Sequence, residues 1–208
     1  LTIGLYASLI VVFAGIGFGV MCALNQNKFI DRFFMVLSTL GATIPSFVLA
    51  TGFLFIFSKT LGWVPAFGVD TAAGYIGPIV VIGAFSLSFI TRLTRTNMLE
   101  VLSADYIRTA RSKGISEFKV TYKHALRNAL LPVITYVGPM VASIVTGSFV
   151  IEKVFGIPGV GSLFTNSIIN RDYPLIMGIT VFFAILLIIS VLIVDFIYVL
   201  VDPRIKLD

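Results

Sequence analysis

Charged residues are scarce in this sequence. Asp, Glu, Lys and Arg make up 12% of its 208 residues, whereas hydrophobic residues make up 58%. A soluble domain carries roughly 25% charged residues. Because so few charges cannot cover a globule in water, we expect much of the surface to face lipid. This composition excludes an ordinary water-soluble domain.

Cysteine and histidine occur once each, as Cys22 and His124. An intrachain disulfide and a cysteine-rich metal site are therefore excluded. A histidine-based metal site and a Ser–His catalytic pair also lack the partners that they need. We expect Cys22 to be a packing residue within its apolar run, and His124 to be a surface or interfacial residue.

A nucleotide-binding motif is missing as well. The run GIPGVGS at residues 156–162 is rich in glycine, but a phosphate-binding loop needs a lysine after its last glycine. Gly161 is followed directly by Ser162. The run therefore predicts a turn-rich loop rather than a nucleotide site.

Long apolar runs, by contrast, are abundant. A membrane span needs about 20 apolar residues, and five segments qualify, at about residues 1–24, 33–57, 75–92, 130–151 and 175–201. Each is predicted to be helical, because unpaired backbone groups are costly in lipid and no alternating barrel pattern is present. Proline interrupts three of these spans, at Pro45, Pro78 and Pro139, where we expect kinks that serve packing or line a cavity.

The positions of the basic residues predict the topology. Three of the loops share one side of the membrane and contain twelve of the fifteen basic residues: Lys28, Arg32, Arg92, Arg95, Arg108, Arg111, Lys113, Lys119, Lys123, Arg127, Arg204 and Lys206. The positive-inside rule makes this side cytoplasmic, with Leu1 outside and the C-terminus inside. An outside start predicts one further helix upstream, six in all. Topology thus accounts for the net charge of +5, and nucleic acid is not needed as a partner.

The connection at residues 93–129 is long for a compact helical bundle, in which links usually run about 2–8 residues. Its apolar and charged residues alternate at helical spacing, which predicts two short amphipathic helices on the cytoplasmic face. Asp105 is expected to cap a first helix that begins at Tyr106, and Gly114 to follow its end.

The second of these helices is expected to be capped by Ser116. Its apolar face is predicted from four residues at spacings of four, three and four: Phe118, Tyr122, Ala125 and Ala129. From the residues alone, two interpretations stay open. The helices could rest on anionic lipid headgroups, or they could dock a soluble partner in a groove.

Two patterns in this connection resemble a known family. The run DYIRTARSKG at residues 105–114, followed by HALRNALLP at 124–132, is similar to the cytoplasmic signature of ABC importer permeases, and more narrowly of the oligopeptide/dipeptide (and nickel) permease family. The general importer pattern is Glu-Ala-Ala, three residues, then Gly. This chain has Arg108, Thr109 and Ala110 before Gly114, so the acidic residue is absent and only the second alanine is kept.

Three further runs resemble the same family, so the resemblance covers essentially the whole chain. They are EKVFGIPGVG at residues 152–161, NRDYP at 170–174 and VDPRI at 201–205. The C-terminal run and the order of the motifs point to the subunit type that has a large external segment after its first helix. That helix and segment would precede Leu1.

The resemblance implies an all-α integral membrane protein with the type I ABC importer transmembrane fold. It also implies a coupling helix that sits in a cleft of an ATPase subunit, formed by Asp105, Tyr106, Arg108, Thr109, Ala110, Arg111, Lys113 and Gly114. An external loop near the binding protein would comprise Glu152, Phe155, Pro158, Gly159, Gly161, Arg171, Asp172 and Tyr173.

The same resemblance implies the partners. They are a second homologous permease, two ATP-binding subunits, an extracytoplasmic substrate-binding protein and the lipid of the cell membrane. No cofactor is expected on this chain, because ATP and Mg²⁺ would bind the ATPase subunits. The substrate would be an oligopeptide or dipeptide, with nickel chelates or glutathione as alternatives.

Two functions from other classes stay open. A secondary transporter that runs on an ion gradient would need charges within the membrane, and Asp195 is the one acid within a predicted span. Its position near the cytoplasmic end of the last span favours a structural role. A membrane anchor for a cytoplasmic enzyme is the other alternative.

Gly15 and Gly19 form a Gly-x-x-x-Gly pair, which suits close helix packing.

Overall fold

The computed structural model describes residues 2–201, and the side chains of residues 146, 194–195 and 197–201 are not among those described. The side chain of Asp195 and residues 202–205 of the C-terminal run therefore lie outside the described part. Within that part the chain is helical with turns and has no strand. Two compact units are present: unit 2 comprises Ile10–Thr43 and Phe85–Val137, and unit 1 comprises the remainder of the chain.

Three helices are long and apolar enough to cross a membrane by length and composition: α1 at Thr2–Leu24, the stretch Ala72–Ser103, and the first 21 residues of α11. α11 itself runs Tyr173–Val201. Two bent helix pairs, each bent by more than 40° at a short break, would raise the number to five. Each of these stretches overlaps one of the five predicted regions, although the second bent pair, Glu117–Ala129 with Leu131–Val145, begins before the predicted fourth span.

The second predicted span is two helices rather than one. α2 runs Phe29–Thr43 and α3 runs Ser46–Phe53, continuing as a π-helical turn over Leu54–Thr60. The break falls at Pro45, whose ring removes a backbone donor and blocks the preceding turn. Pro45 has φ −56° and ψ 142°, and its carbonyl oxygen accepts the amides of Val48 and Leu49. Proline therefore ends one helix and starts the next.

The helix of the third predicted span is longer than expected at its C-terminal end. A short 3₁₀ turn at Ala72–Tyr75 leads into α4, which runs Ile76–Ser103. The prediction ended at residue 92 because charged residues begin there, but charge ends an apolar run without ending a helix. Pro78 lies in the first turn of α4, where its missing N–H needs no partner. It does not interrupt the helix, contrary to expectation.

The fourth predicted span also divides. α8 runs Leu131–Thr146 and continues through Pro139, and the chain then turns at Gly147, whose φ is +87°. α9 at Phe149–Val154 and α10 at Val160–Ile169 follow. α10 begins within the run at residues 156–162, which was predicted to be a turn-rich loop, and continues beyond it to Ile169. A helix of ten residues is too short to be recognised as a span.

Each unit has its own apolar core. In unit 2 the core joins the end of α1 to the C-terminal half of α4 and to the following connection, and Met98 within it is fully buried. Gly15 and Gly19 face α4 closely: a methyl group at Gly15 would meet the Ile90 side chain at 2.7 Å, and one at Gly19 would meet the Thr91 carbonyl oxygen at 2.8 Å. The Gly-x-x-x-Gly pair thus lies at a close helix contact, as predicted.

Candidate functional site

The predicted coupling helix is α5, at Asp105–Ser112. It follows α4 after the single residue Ala104, which occupies the N-cap position and has no side-chain cap. Asp105 is therefore the first residue of the helix and not its cap, so this part of the prediction is wrong. Its carboxylate lies in the first turn, where the helix dipole stabilises negative charge. One carboxylate oxygen of Asp105 is 3.7 Å from Nη1 of Arg108.

α5 has one buried and one exposed face. Ile107 is fully buried and Ala110 is 8% exposed, and both belong to the core of unit 2. The other predicted coupling residues are exposed: Asp105, Tyr106, Arg108, Thr109, Arg111, Lys113 and Gly114. Seven of the eight predicted residues thus form one accessible surface, here called the α5 surface. Ala110 instead fixes the helix to the core beneath.

The end of α5 is defined by Gly114. Its φ is +73°, a conformation that disfavours residues with a Cβ. The Gly114 amide donates to the Arg111 carbonyl at 2.9 Å, and the Ile115 amide donates to the Ala110 carbonyl at 3.3 Å. These two bonds make a Schellman motif. The predicted position of Gly114 just after the helix is confirmed.

Two side-chain contacts join α5 to the segment after it. Arg111 donates from Nε and Nη2 to the two carboxylate oxygens of Glu117, at 2.9 and 3.2 Å, and so bridges the turn at Gly114. Asn128 donates from Nδ2 to the Tyr106 hydroxyl at 2.9 Å. The α5 surface is therefore fixed from both ends. Neither contact follows from sequence spacing alone.

The segment at Glu117–Ala129 contains α6 at Glu117–Lys119, a π-helical turn at Val120–Ala125, and α7 at Leu126–Ala129. Ser116 occupies the predicted N-cap position, although its side chain makes no cap bond. The predicted apolar face is wrong in its first half: Phe118 and Tyr122 are 71% and 47% exposed and pack on each other.

The π-helical turn explains this error. A π turn adds a residue to the helical repeat, so the buried face passes through Val120 and Thr121 before it reaches Ala125 and Ala129. The predicted spacing assumed a regular α-helix throughout. His124 lies in the same turn and is half-buried.

The second predicted site is divided between surface and core. Pro158, Arg171, Asp172 and Tyr173 are exposed, whereas Phe155 is 3% exposed and Gly161 is buried. The ring centroid of Phe155 lies 6.4 Å from that of Phe53, and its carbonyl oxygen accepts the Gly68 amide at 2.9 Å. Phe155 is therefore a core residue of unit 1, not a surface contact.

Glu152 organises the start of α10. Its Oε2 atom accepts the Ser162 amide at 3.1 Å, so the carboxylate lies at a helix N-terminus, where it is favoured. Gly159 and Gly161 leave room for it, since a methyl group at Gly161 would approach Oε2 to 2.8 Å. The half-buried Glu152 also lines a cavity of about 190 Å³ in unit 1, together with Tyr75.

Asp172 has a similar role at the start of α11. Its Oδ1 atom accepts the Leu175 amide at 3.1 Å, and its own amide donates to the Ser167 carbonyl at 2.9 Å. Arg171 precedes it with φ +57°. These residues set the turn between α10 and α11.

One charged pair was missed at the sequence level. Asp31, in the first turn of α2, accepts two hydrogen bonds from Arg95 of α4, from Nε at 2.6 Å and from Nη2 at 2.7 Å. Asp31 is 2% exposed. The only signal in the sequence was an acidic residue beside an apolar run.

Among the described residues, no three His, Cys, Asp or Glu side chains come together as a metal site.

The chain is similar to known proteins over nearly its whole length. The family described as "Binding-protein-dependent transport system inner membrane component" matches residues 15–207. A dipeptide transport system permease protein, DppB of Bacillus subtilis, is 50% identical over 99% of this chain, and the chain covers 67% of its length. An oligopeptide transport system permease protein, OppB of Haemophilus influenzae, is 45% identical over 98% of this chain and is also covered to 67%.

The fold is also similar to that of a solved structure. A chain described under "Inward facing conformations of the MetNI methionine ABC transporter" aligns with a TM-score of 0.77 at 18% identity. The alignment covers 97% of this chain and 92% of that one. At this identity the likeness concerns the fold alone, and it agrees with the predicted importer transmembrane fold.

Proposed function

Because the chain belongs to the family of binding-protein-dependent transport system inner membrane components, we propose that it is the permease subunit of an ATP-driven importer of oligopeptides or dipeptides. The observation that carries this proposal is the α5 surface. It is a short exposed helix, fixed by a shared core, a glycine-ended turn and two side-chain contacts. Such a helix presents a rigid shape to a partner.

The mechanism is a conformational change, with no bond made or broken on this chain. Two ATPase subunits, which hold ATP and Mg²⁺, would bind at the cytoplasmic side, one of them on the α5 surface. Their closure would displace α5. Since a single residue separates α5 from α4, the displacement passes directly into a membrane helix. The spans would then alternate between inward-open and outward-open states as rigid bodies.

The other partners follow from the same proposal. A second, homologous permease would complete the translocation path in the cell membrane. An extracytoplasmic binding protein would deliver the substrate near the loop at residues 152–174. This arrangement requires a cytoplasmic C-terminus, in agreement with the distribution of basic residues.

The names of the curated relatives support a peptide substrate, because several similar proteins are described as dipeptide or oligopeptide permeases. Nickel chelates and glutathione are the alternative cargoes. Uptake of radiolabelled di- and oligopeptides, with each alternative cargo as a competitor, distinguishes them. In a peptide importer, only unlabelled peptide should compete with the labelled peptide and lower its uptake.

The decisive experiment is disruption of the α5 surface in the assembled importer. Thr109→Trp and Arg108→Glu change exposed side chains without entering the core. Both should reduce co-purification of the ATPase subunits and ATP-dependent uptake. Lys59→Gln, at an exposed residue on the predicted outer side, is the matched control and should change neither. Normal assembly and transport in both α5 variants would contradict the proposal.

A second measurement separates the importer from a gradient-driven transporter. Uptake into energised membrane vesicles is measured with an ionophore present and ATP supplied, and then with an ion gradient present and ATP absent. The proposed importer needs ATP and tolerates the ionophore. The opposite result would favour a secondary transporter.

A further inference from the structure

α2 is attached to its neighbours in an unusual way. Most of its side chains are exposed, and its buried residues are Asp31 and Ser38, both polar. A stack of Phe34 on Phe18 of α1, with ring centroids 4.4 Å apart, adds one apolar contact. The most deeply buried side chain of this apolar helix is therefore a carboxylate. Such burial needs a specific reason, because it is costly.

The Asp31 carboxylate joins three parts of unit 2. Oδ1 accepts Nε of Arg95, and Oδ2 accepts both Nη2 of Arg95 and the backbone amide of Asn27, at 2.8 Å. Asn27 lies in the turn between α1 and α2 and has φ +63°. One side chain thus holds this turn, the first turn of α2, and α4. A two-point contact between guanidinium and carboxylate fixes orientation as well as distance.

Arg95 lies on the part of α4 that leads to α5. One turn further along, Met98 packs in the same core as Ile107 and Ala110 of α5. The backbone of Ala104 is hydrogen-bonded to both helices that it connects. Its amide donates to the Val101 carbonyl of α4, and its carbonyl accepts the Ile107 amide of α5 at 3.0 Å. Motion of α5 therefore moves the segment of α4 that carries Arg95.

We propose that Asp31 is a positioning residue of the transport cycle: through Arg95 it makes α2 follow the displacement of the coupling helix. The inference rests on the proposed function and deepens it. A buried ion pair is a weak source of stability compared with apolar packing, whereas its two-point contact adds geometric specificity. Without this pair, α2 would be linked to α4 mainly indirectly, through α1, which itself packs on α4.

The test compares four variants in the assembled importer with its ATPase and binding-protein partners. Asp31→Asn removes the charge at nearly constant size, and Arg95→Lys keeps the charge but loses the two-point contact. Asp31→Asn with Arg95→Gln removes both charges together, which avoids an unpaired buried charge. Glu100→Gln removes an exposed carboxylate from α4 and is the control.

Three quantities are measured for each variant: co-purification of the ATPase, ATP hydrolysis, and peptide taken up per ATP hydrolysed. We expect all variants to assemble and hydrolyse ATP. Asp31→Asn and the double variant should lose about tenfold in uptake per ATP. Arg95→Lys should show a smaller loss, and Glu100→Gln should match the unmodified chain.

The outcomes separate a positioning role from a structural one. Unchanged uptake per ATP in the double variant would overturn the proposal, because the pair would then serve only to balance charge. Failure of every Asp31 and Arg95 variant to assemble would also overturn it, since the pair would be a folding requirement. If the unmodified chain itself showed no ATP-dependent uptake, the proposed function would fail first, and this inference with it.

Discussion

The Tyr106 hydroxyl accepts a hydrogen bond from Nδ2 of Asn128 at 2.9 Å, joining α5, the proposed coupling helix, to α7 across 22 residues of sequence. Both residues are exposed, so the bond orients the helix more than it stabilises the fold. A single hydrogen bond contributes about 0.5–1.5 kcal/mol net. Its expected effect is therefore on docking.

We predict that Tyr106→Phe and Asn128→Ala each weaken ATPase binding by about three- to tenfold, and that the double variant is no weaker than either single variant. The measurement is the affinity of the purified permease for its ATPase in detergent. Tyr122→Phe is the control, because that ring packs on Phe118 and loses only its hydroxyl. Additive losses in the double variant would show that the two residues act independently.

Gly114 tests the geometry at the end of α5. A Cβ at this position meets nothing within 4 Å, so a substitution is opposed only by the backbone conformation at φ +73°. Forcing a bulky residue into that conformation costs about 1–2 kcal/mol. Gly114→Val should therefore lose ATPase binding and uptake, whereas Gly114→Asn should retain most of both, because Asn tolerates positive φ. Equal losses in the two variants would show that space, and not conformation, matters there.

Three of the glycines in α1 allow a comparison within one helix. Gly15 and Gly19 face α4 closely, whereas a methyl group at Gly17 would meet nothing within 4 Å. Gly15→Ala and Gly19→Ala should each lower the free energy of unfolding by about 1–3 kcal/mol through overpacking. Gly17→Ala should be neutral or slightly stabilising. Thermal denaturation in detergent, followed by size-exclusion chromatography, measures all three, and equal midpoints would contradict the packing at this contact.

The contact of Glu152 with the start of α10, in unit 1, can be tested through its effect on stability. Glu152→Ala removes the acceptor of the Ser162 amide at the start of α10 and should destabilise the fold by about 1–3 kcal/mol. Gly161→Ala should be at least as harmful, since its methyl group would also approach the Cα atom of Phe149 to 2.6 Å. Gly178→Ala, at an open position of α11, is the control. Both effects should appear without the binding protein present, as a lower denaturation midpoint.

Local patterns in the sequence predicted much of the coupling region. Gly114 was recognisable because glycine commonly follows a helix end, and helical spacing predicted a short amphipathic helix before it. The individual residues of the α5 surface were named only through the resemblance to importer permeases. The five apolar segments were visible for a similar reason, since each is a continuous run. The break at Pro45 was also signalled by residue type.

Other features depend on contacts or irregularities that periodicity does not encode. The partner of Asp31 lies 64 residues away, and no spacing rule joins the two. The length of α4 was underestimated because charge was taken as its end, although a helix can leave the membrane and continue. The burial of Phe155 depends on Phe53 and Gly77, which only the folded unit 1 brings near it.

The π-helical turn at Val120–Ala125 has a consequence for how this region is altered by insertion or deletion. It accommodates one more residue between α5 and α8 than a regular α-helix of the same number of turns would hold. Deleting one residue within it would restore an ordinary α-helix and leave the segments on either side in nearly the same rotational phase. Inserting a residue would instead rotate them against each other by about 100°. A one-residue deletion in this segment should therefore be tolerated better than a one-residue insertion.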